Sequence, residues 1–348
     1  MHKKWIFNQL MKIEPQIMAI VIGTTDISLI PGISVAGASP ELTHYTPALD
    51  VEYLLLGMPK TMEVIPVTPE GIPTPALVTR AVAGEVAKLV VNAGSRITPK
   101  VPYVDLGGEP GRDFRRGPAL SCEAARNILE RGRALGCELG RLGCIYIGES
   151  IPGGTTTAMA ILVAMGYDAW GRTSSASPNN PKELKIAVVK EGLRRVSAPL
   201  KPLEAVCEMG DPVHLAVAAI ALGVSECGGV PVLAGGTQMA AAAALYKGLG
   251  GDLAKLHVVT TRWIAEDKSA DFMGLMEIVG VKNVYIAGVS FAGSKYEGLR
   301  AYERGAVKEG VAMGGALFYA LSKGKDVLRL VEAEYERLLS AGVAGNVN

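Results

Sequence analysis

Cys144 to Gly166 (CIYIGESIPGGTTTAMAILVAMG) holds the side chains with the clearest capacity for chemistry. Glu149 follows Gly148 at the end of a short apolar run. Gly153, Gly154, Thr155, Thr156 and Thr157 stand where the apolar spacing becomes helical, so the segment reads as strand, loop, helix. Unpaired amides and the dipole at such a helix start favour anions, phosphate above all. Glu149 would repel a phosphate that touched it. Its place is beside ribose hydroxyls, or where positive charge develops. An ordinary β–α turn with a threonine N-cap has the same composition. A second tight loop, Gly235-Gly236-Thr237, lies between a strand and an alanine-rich helix. A third glycine loop carries Arg112, Arg115 and Arg116 among Glu109 and Asp113, which suits an anionic ligand and equally a solvated charged turn.

The elements that must carry these loops alternate. Strands are expected at Ile17–Gly23, Met62–Val67, Val101–Leu106, Cys144–Ile147, Val230–Leu233, His257–Thr261 and Val284–Val289. Helical spacing covers Pro75–Ala93, Ser121–Gly136, the segment opening at Pro181, Leu203–Met209, Val213–Cys227, the segment after Thr237, and Ser269–Val279. This alternation predicts an α/β fold, a doubly wound and mostly parallel sheet over residues 15–295. From Tyr296 onward the pattern is helical only, with KEGVAMGGALFYALSKG and DVLRLVEAEYERLLSAG as clear segments. Residues 296–348 are therefore expected to form a smaller helical subdomain, joined by residues 1–14. The Pro- and Gly-rich stretch up to about Gly71, least regular at SVAGASPELTHYTPALD, reads as a loop over the site.

Composition excludes several classes. The chain has 348 residues, a net charge of +1, 20% charged and 49% hydrophobic residues. That is neither the basic excess of a nucleic-acid binder nor an acidic tail. No apolar run approaches the ~20 residues of a membrane span, and the N-terminus lacks a signal-peptide core. A cytoplasmic protein is expected, without nucleic-acid or membrane partners. The four scattered histidines have no metal-binding spacing, so no metal is expected, and His214 reads as a satisfied core residue. The five cysteines contain no C-x-x-C pair and read as reduced thiols.

Several motifs in sequence order resemble the nicotinate-nucleotide–dimethylbenzimidazole phosphoribosyltransferases of cobalamin biosynthesis, especially their archaeal branch. GESIPGGTTTAMA resembles the family's G-E-M-G-I-x-N-T-T-A-A-A, departing at the Asn, where Gly154 or Thr155 stands. RDFRRGPALSCEAARNILERG, GRTSSASPNNPKELK and the block from Pro202 to Leu245 resemble three further family segments. KEGVAMGGA resembles the catalytic G-E-G-x-G-A-A, with two extra residues inside it. The resemblance covers roughly Gly111 to Leu321.

The resemblance implies transfer of the phosphoribosyl group of nicotinate mononucleotide to a benzimidazole-type base, with no cofactor beyond that co-substrate, by a homodimer. It nominates Glu309 as general base, with Glu297 as the alternative, and Lys185 as a nucleotide-binding cation. Gly148, Gly153, Gly154, Thr155, Thr156, Gly235, Gly236, Thr237, Gly314 and Gly315 are the expected lining. Elementary chemistry agrees with the scheme. The leaving pyridine is already cationic, the azole N–H calls for one carboxylate, and Glu149 suits an electron-deficient ribose carbon. Two other classes stay open. One is a nucleotide-binding oxidoreductase, although no G-x-G-x-x-G opens a helix after a strand. The other is a nucleotide-binding regulator without turnover.

Overall fold

The computed structural model describes residues 13–34, 40–62 and 71–345. Its strands are β1 (Ile17–Gly23), β2 (Ala87–Gly94), β3 (Val104–Asp105), β4 (Cys144–Ser150), β5 (Val230–Ala234), β6 (His257–Thr261) and β7 (Asn283–Ala287). They form one seven-stranded sheet in the order β3-β2-β1-β4-β5-β6-β7, every pair parallel. Successive strands step outward from β1 in one direction, then from β4 in the other. The order reverses between β1 and β4, and the crevice at their carboxyl ends is where such sheets bind ligands.

Thirteen α-helices are described. In chain order they are α1 (Thr46–Leu56), α2 (Pro75–Val82), α3 (Cys122–Gly140), α4 (Gly154–Ala164), α5 (Lys182–Leu193), α6 (Pro202–Met209), α7 (Pro212–Glu226), α8 (Gln238–Gly248), α9 (Arg262–Ala265), α10 (Phe272–Val279), α11 (Glu297–Arg300), α12 (Met313–Ser322) and α13 (Val327–Gly345). Helices α3 to α8 and α10 share one core with Val21, Ile145, Ile147 and Leu233. Helices α1, α2, α12 and α13 share the other with Ile20, Ile22, Tyr146 and Val232. Alternate residues of each central strand thus face opposite layers, as the two-residue period of a strand requires. Among the described residues no helix is long and apolar enough to cross a membrane.

Several expectations need correcting. Pro75–Ala93 is not one helix: α2 stops at Val82, and Ala87–Gly94, which contains Val90 and Val91, pairs with β1 as β2. The β-branched pair suits a buried strand, and Gly84 sits in the turn before it. Val101–Leu106 shrinks to a two-residue edge strand. The stretch read as an irregular loop over the site contains α1, opened by Pro47 in its first turn and closed by Gly57 in the left-handed region. Its periodicity is hidden because Asp50 and Glu52 are themselves buried. Glu52 accepts backbone N–H groups from Lys60, Thr61 and Lys100, which explains a carboxylate in the core. Apart from Met62, the expected strand Met62–Val67 lies outside the described residues, as do residues 1–12 of the segment assigned to the subdomain. Residues 296–348 supply α11, α12 and α13, whose core is continuous with that of α1 and α2, so the core shows no break at 295/296.

The cysteine reading also changes. Cys137 and Cys227 form a disulfide across 90 residues, with their Cα atoms 5.0 Å apart. Close packing of α3 on α7 brings them together. A Cβ on Gly136 would lie 2.1 Å from the Ile220 carbonyl oxygen, and one on Gly223 would lie 2.0 Å from that of Arg133. Only glycine fits there, and no spacing along the chain reveals the match.

One further close approach positions the site. A Cβ on Gly148 would fall 2.6 Å from the backbone nitrogen of Ala312, and the Val311 N–H donates to the Glu149 carbonyl at 2.8 Å. The segment before α12 is thereby docked on the end of β4.

Titration of unfolded, unreduced protein should find three reactive thiols per chain, rising to five after reduction, and Cys137→Ser should lower stability by about 2–4 kcal/mol. Gly148→Ala should cost about 1–3 kcal/mol by overpacking, read as a fall in melting temperature. A wild-type value would mean that the 309–312 segment is not seated on β4.

Candidate active site

The pleat of β4 separates the chemistry at its end. Glu149 follows Ile145 and Ile147 toward the layer of α7 and α8, where the Gln238 Nε2 donates to its Oε1 at 3.0 Å. Gly148 and Ser150 face the other layer, and the Ser150 hydroxyl donates to Asp50 of α1 at 2.7 Å. Glu149 is only 4% exposed. Burial pushes its carboxyl up to about 7; His214 opposes this, while Asp211 and Asp50 add to it.

Glu309 comes from the segment before α12. KEGVAMGGA is expected from its pattern to lie in a helix, but the helix begins only at Met313. Val307, Lys308, Val311 and Ala312 all have left-handed φ, at 66°, 60°, 51° and 58°. Each such residue costs on the order of 1–3 kcal/mol and persists only where its surroundings hold it. The holding contacts are specific. The Val307 N–H donates to the Ala176 carbonyl at 2.8 Å, and the Thr261 and Thr79 hydroxyls donate to the carbonyls of Lys308 and Val311 at 2.7 and 2.8 Å. The Glu309 Oε1 accepts the Gly314 N–H at 2.9 Å, whereas its Oε2 is buried and has no partner. Burial pushes this carboxyl up to about 8, against the Gly314 and Gly310 amides and with the Glu149 charge.

The remaining expected residues fall into two groups. Gly236 lies beside Glu309, a Cβ on it being 3.6 Å from the Glu309 Cβ, and a Cβ on Gly314 would be 2.9 Å from Oε2. Gly153 caps α4 with φ 77°, and Gly154 abuts Gln238. Thr155 is half-buried, and the Thr156 hydroxyl is buried without a partner. Gly236 and Gly314 thus lie against Glu309, and Gly154 against the amide that donates to Glu149. Gly235 packs on Met239, and Gly315 packs on Ala234 and Tyr146, so both act in the core beneath them.

The second group is centred on Ser174. Lys185 is 1% exposed, and its ammonium donates to the Ser174 carbonyl. Thr237 accepts the Ser174 N–H at 2.9 Å. The Ser174 hydroxyl donates to Asp267 at 2.6 Å, and Asp267 also pairs with Lys308 at 2.9 Å. Burial, with the Lys308 charge beside it, lowers the Lys185 amine to about 7, although Asp267 opposes this. Two lysines here share one carboxylate. Pro181, expected as the first helical residue of α5, is instead its N-cap. Glu297 is exposed and paired with Arg300 and Arg304, which hold its carboxyl below the usual range.

Sequence reasoning missed four contributors. Asp50 carried no motif, and Gln238 and Lys308 stand inside segments singled out for other residues. His214 is buried, but it is not a fully satisfied core residue: its Nδ1 meets Asp211, while its Nε2 has no partner. Asp211-Pro212, an N-cap followed by proline, was the available signal. The arginine loop resolves into local ion pairs, Arg112 with Glu109 and Arg115 with Asp113. Among the described residues, no group of three or more His, Cys, Asp or Glu side chains is arranged to hold a metal ion.

Comparison with known proteins bears on this arrangement. Residues 75–271 match a family model described as phosphoribosyltransferase. The UPF0284 protein of Pyrobaculum aerophilum is 99% identical over 338 residues, 97% of this chain and all of that protein. Two crystal structures from Thermus thermophilus, each 17% identical, share the fold. Nicotinate-nucleotide-dimethylbenzimidazole phosphoribosyltransferase superposes with a TM-score of 0.62 over 92% of this chain and 84% of that one. CobT superposes with a TM-score of 0.64 over 95% and 91%. The family match spans more than half of the sequence and includes Glu149 and Lys185; the chain belongs to the phosphoribosyltransferase family and to the UPF0284 proteins.

Proposed function

We propose that the protein transfers the phosphoribosyl group of nicotinate mononucleotide to a nitrogen of a benzimidazole-type base, releasing nicotinate and forming an α-ribazole phosphate-like nucleotide for a cobamide lower ligand. The observation that carries this reading is the pair of buried carboxylates at the sheet's switch point, one of which keeps an unpartnered oxygen. In the proposed step an azole nitrogen attacks the ribose C1′ and the bond from C1′ to the pyridinium nitrogen breaks. The bonding pair neutralises the departing ring. The azole N–H proton passes to the Glu309 Oε2, and a carboxyl pushed up to about 8 is a competent acceptor near neutral pH. Glu149, from β4, stabilises the positive charge that develops on the ribose.

The phosphate is assigned to the α4 N-terminus and the Lys185–Lys308 group. Lys308 pairs with Asp267 while Lys185, its amine lowered to about 7, donates to the Ser174 carbonyl, so an anion placed here would favour the charged form of Lys185. The substrates are small molecules. A cytoplasmic homodimer is the accompanying expectation.

Incubation with nicotinate mononucleotide and a panel of azoles and purines, followed by mass analysis, tests the reaction; absence of nicotinate release with every acceptor would refute it. Glu309→Gln should retain nucleotide binding while turnover falls about 10²–10⁴-fold. Because the base must be ionised, kcat/KM should rise with pH through the interval near 7–8 where the two carboxyls titrate together. Lys185→Ala should weaken nucleotide binding more at low than at high ionic strength, and equal loss at both would argue against a charge contact.

A further inference from the structure

Beneath Glu149 lies a chain of buried polar groups that the scheme above does not use. Asp211 caps α7 and is fully buried. Its Oδ1 accepts the Val213 and His214 N–H groups at 2.8 and 3.0 Å. Its Oδ2 accepts the Thr157 hydroxyl and faces the His214 Nδ1, both at 2.5 Å. Three donors besides the ring reach the two oxygens, which makes Asp211 the anion, and an anion facing Nδ1 calls for a proton there. Beyond the ring stands Gln238. Its Nε2 donates to Glu149, so its Oε1 points away from Glu149, toward His214 and Gly154. An amide oxygen can only accept. Neither this oxygen nor the His214 Nε2 has another partner, and both are buried. A proton on Nε2 would turn it from an acceptor without a partner into a donor on the side of the ring where Gln238 stands.

We infer that His214 is a positioning residue, held as imidazolium between Asp211 and Gln238 and, through the Gln238 amide, keeping Glu149 ionised. The importance of an ionised Glu149 rests on the proposed reaction, but the protonation pattern itself does not. The charged groups around Glu149 are His214, Asp211, Asp50 and Glu309. Among them His214 is the one basic group, so without it Glu149 would face acidic neighbours alone. In the competing arrangement the Gln238 amide is flipped, His214 is neutral and Glu149 carries the proton. The two differ by the position of one proton. Glycine at 154 leaves room for the amide, since a Cβ there would lie 2.0 Å from the Gln238 Oε1.

Nitrogen-15 and carbon-13 spectra of the full chain labelled in histidine and glutamate separate these states. The expected result at about pH 8, above the value to which burial pushes the Glu149 carboxyl, is one histidine, lost in His214→Gln, with both ring nitrogens protonated, together with an ionised Glu149 carboxyl. A neutral His214 ring, or a protonated Glu149, would overturn the inference. Gln238→Met removes the amide and leaves every ionisable group in place. The Glu149 titration, and the acid limb of any transfer activity, should then move up by about one pH unit or more. A lower melting temperature with an unmoved titration would reduce the chain to packing. Absence of transfer in the wild type would refute the proposed reaction and leave the spectra to decide this point.

Discussion

Taking carboxylates out of water is the costly act around which this molecule is arranged. A buried carboxylate without compensation forfeits its hydration and retreats to the neutral form. Glu149, Glu309, Asp50 and Asp211 are four such groups near one crevice, and each meets a different fate. Asp211 is filled with donors and stays below the usual range, and Asp50, with two hydroxyls, rises to about 6. Glu149 has one amide hydrogen bond and a nearby histidine, and Glu309 has backbone N–H groups and an empty oxygen. Donors alone do not set the order: Glu309 rises to about 8 because burial and the Glu149 charge outweigh the Gly314 and Gly310 amides. Helix starts at α4, α7 and α8 converge on the same place, and their dipoles oppose part of the penalty.

The strained segment from Val307 to Ala312 belongs to the same problem. An extended or helical path there would carry Glu309 away from the end of β4. Left-handed turns at four side-chain-bearing residues instead fold the backbone so that Glu309 points in while the Val311 amide still reaches the Glu149 carbonyl. The enclosing contacts come from β6, α2 and the loop after α4, which is why loosening any one of them is felt at the carboxylate.

Much of this was legible in the sequence where a residue's environment is set by its near neighbours. The central strands, the glycine and threonine start of α4 and the helix of α8 all follow from local spacing. The first strand, Ile17–Gly23, was visible as an apolar run, but the reversal of strand order beside it was not. Local spacing was blind wherever a distant segment decided the outcome. β2 merges into a helical reading because only pairing with β1 distinguishes it. α1 looks irregular because its buried carboxylates answer to groups far along the chain, Glu52 to amides and Asp50 to the Thr74 and Ser150 hydroxyls. The disulfide depends on glycines of two helices meeting face to face. His214 reads as an inert core residue because nothing within three residues hints that Gln238 stands opposite.

The path of the chain through this site has a consequence for biogenesis. Glu149 and the α4 start come from the middle of the sequence, whereas the Glu309 segment is synthesised only after all seven strands. A nascent chain emerges from its N-terminal end and forms long-range contacts late. The crevice, its helix starts and the Asp211–His214 pair can therefore assemble before the second carboxylate exists. During that interval the end of β4 around Gly148 lies uncovered, and the last segment seals it by taking up its left-handed turns. The second carboxylate is thus the final part of the crevice that the folding chain puts in place.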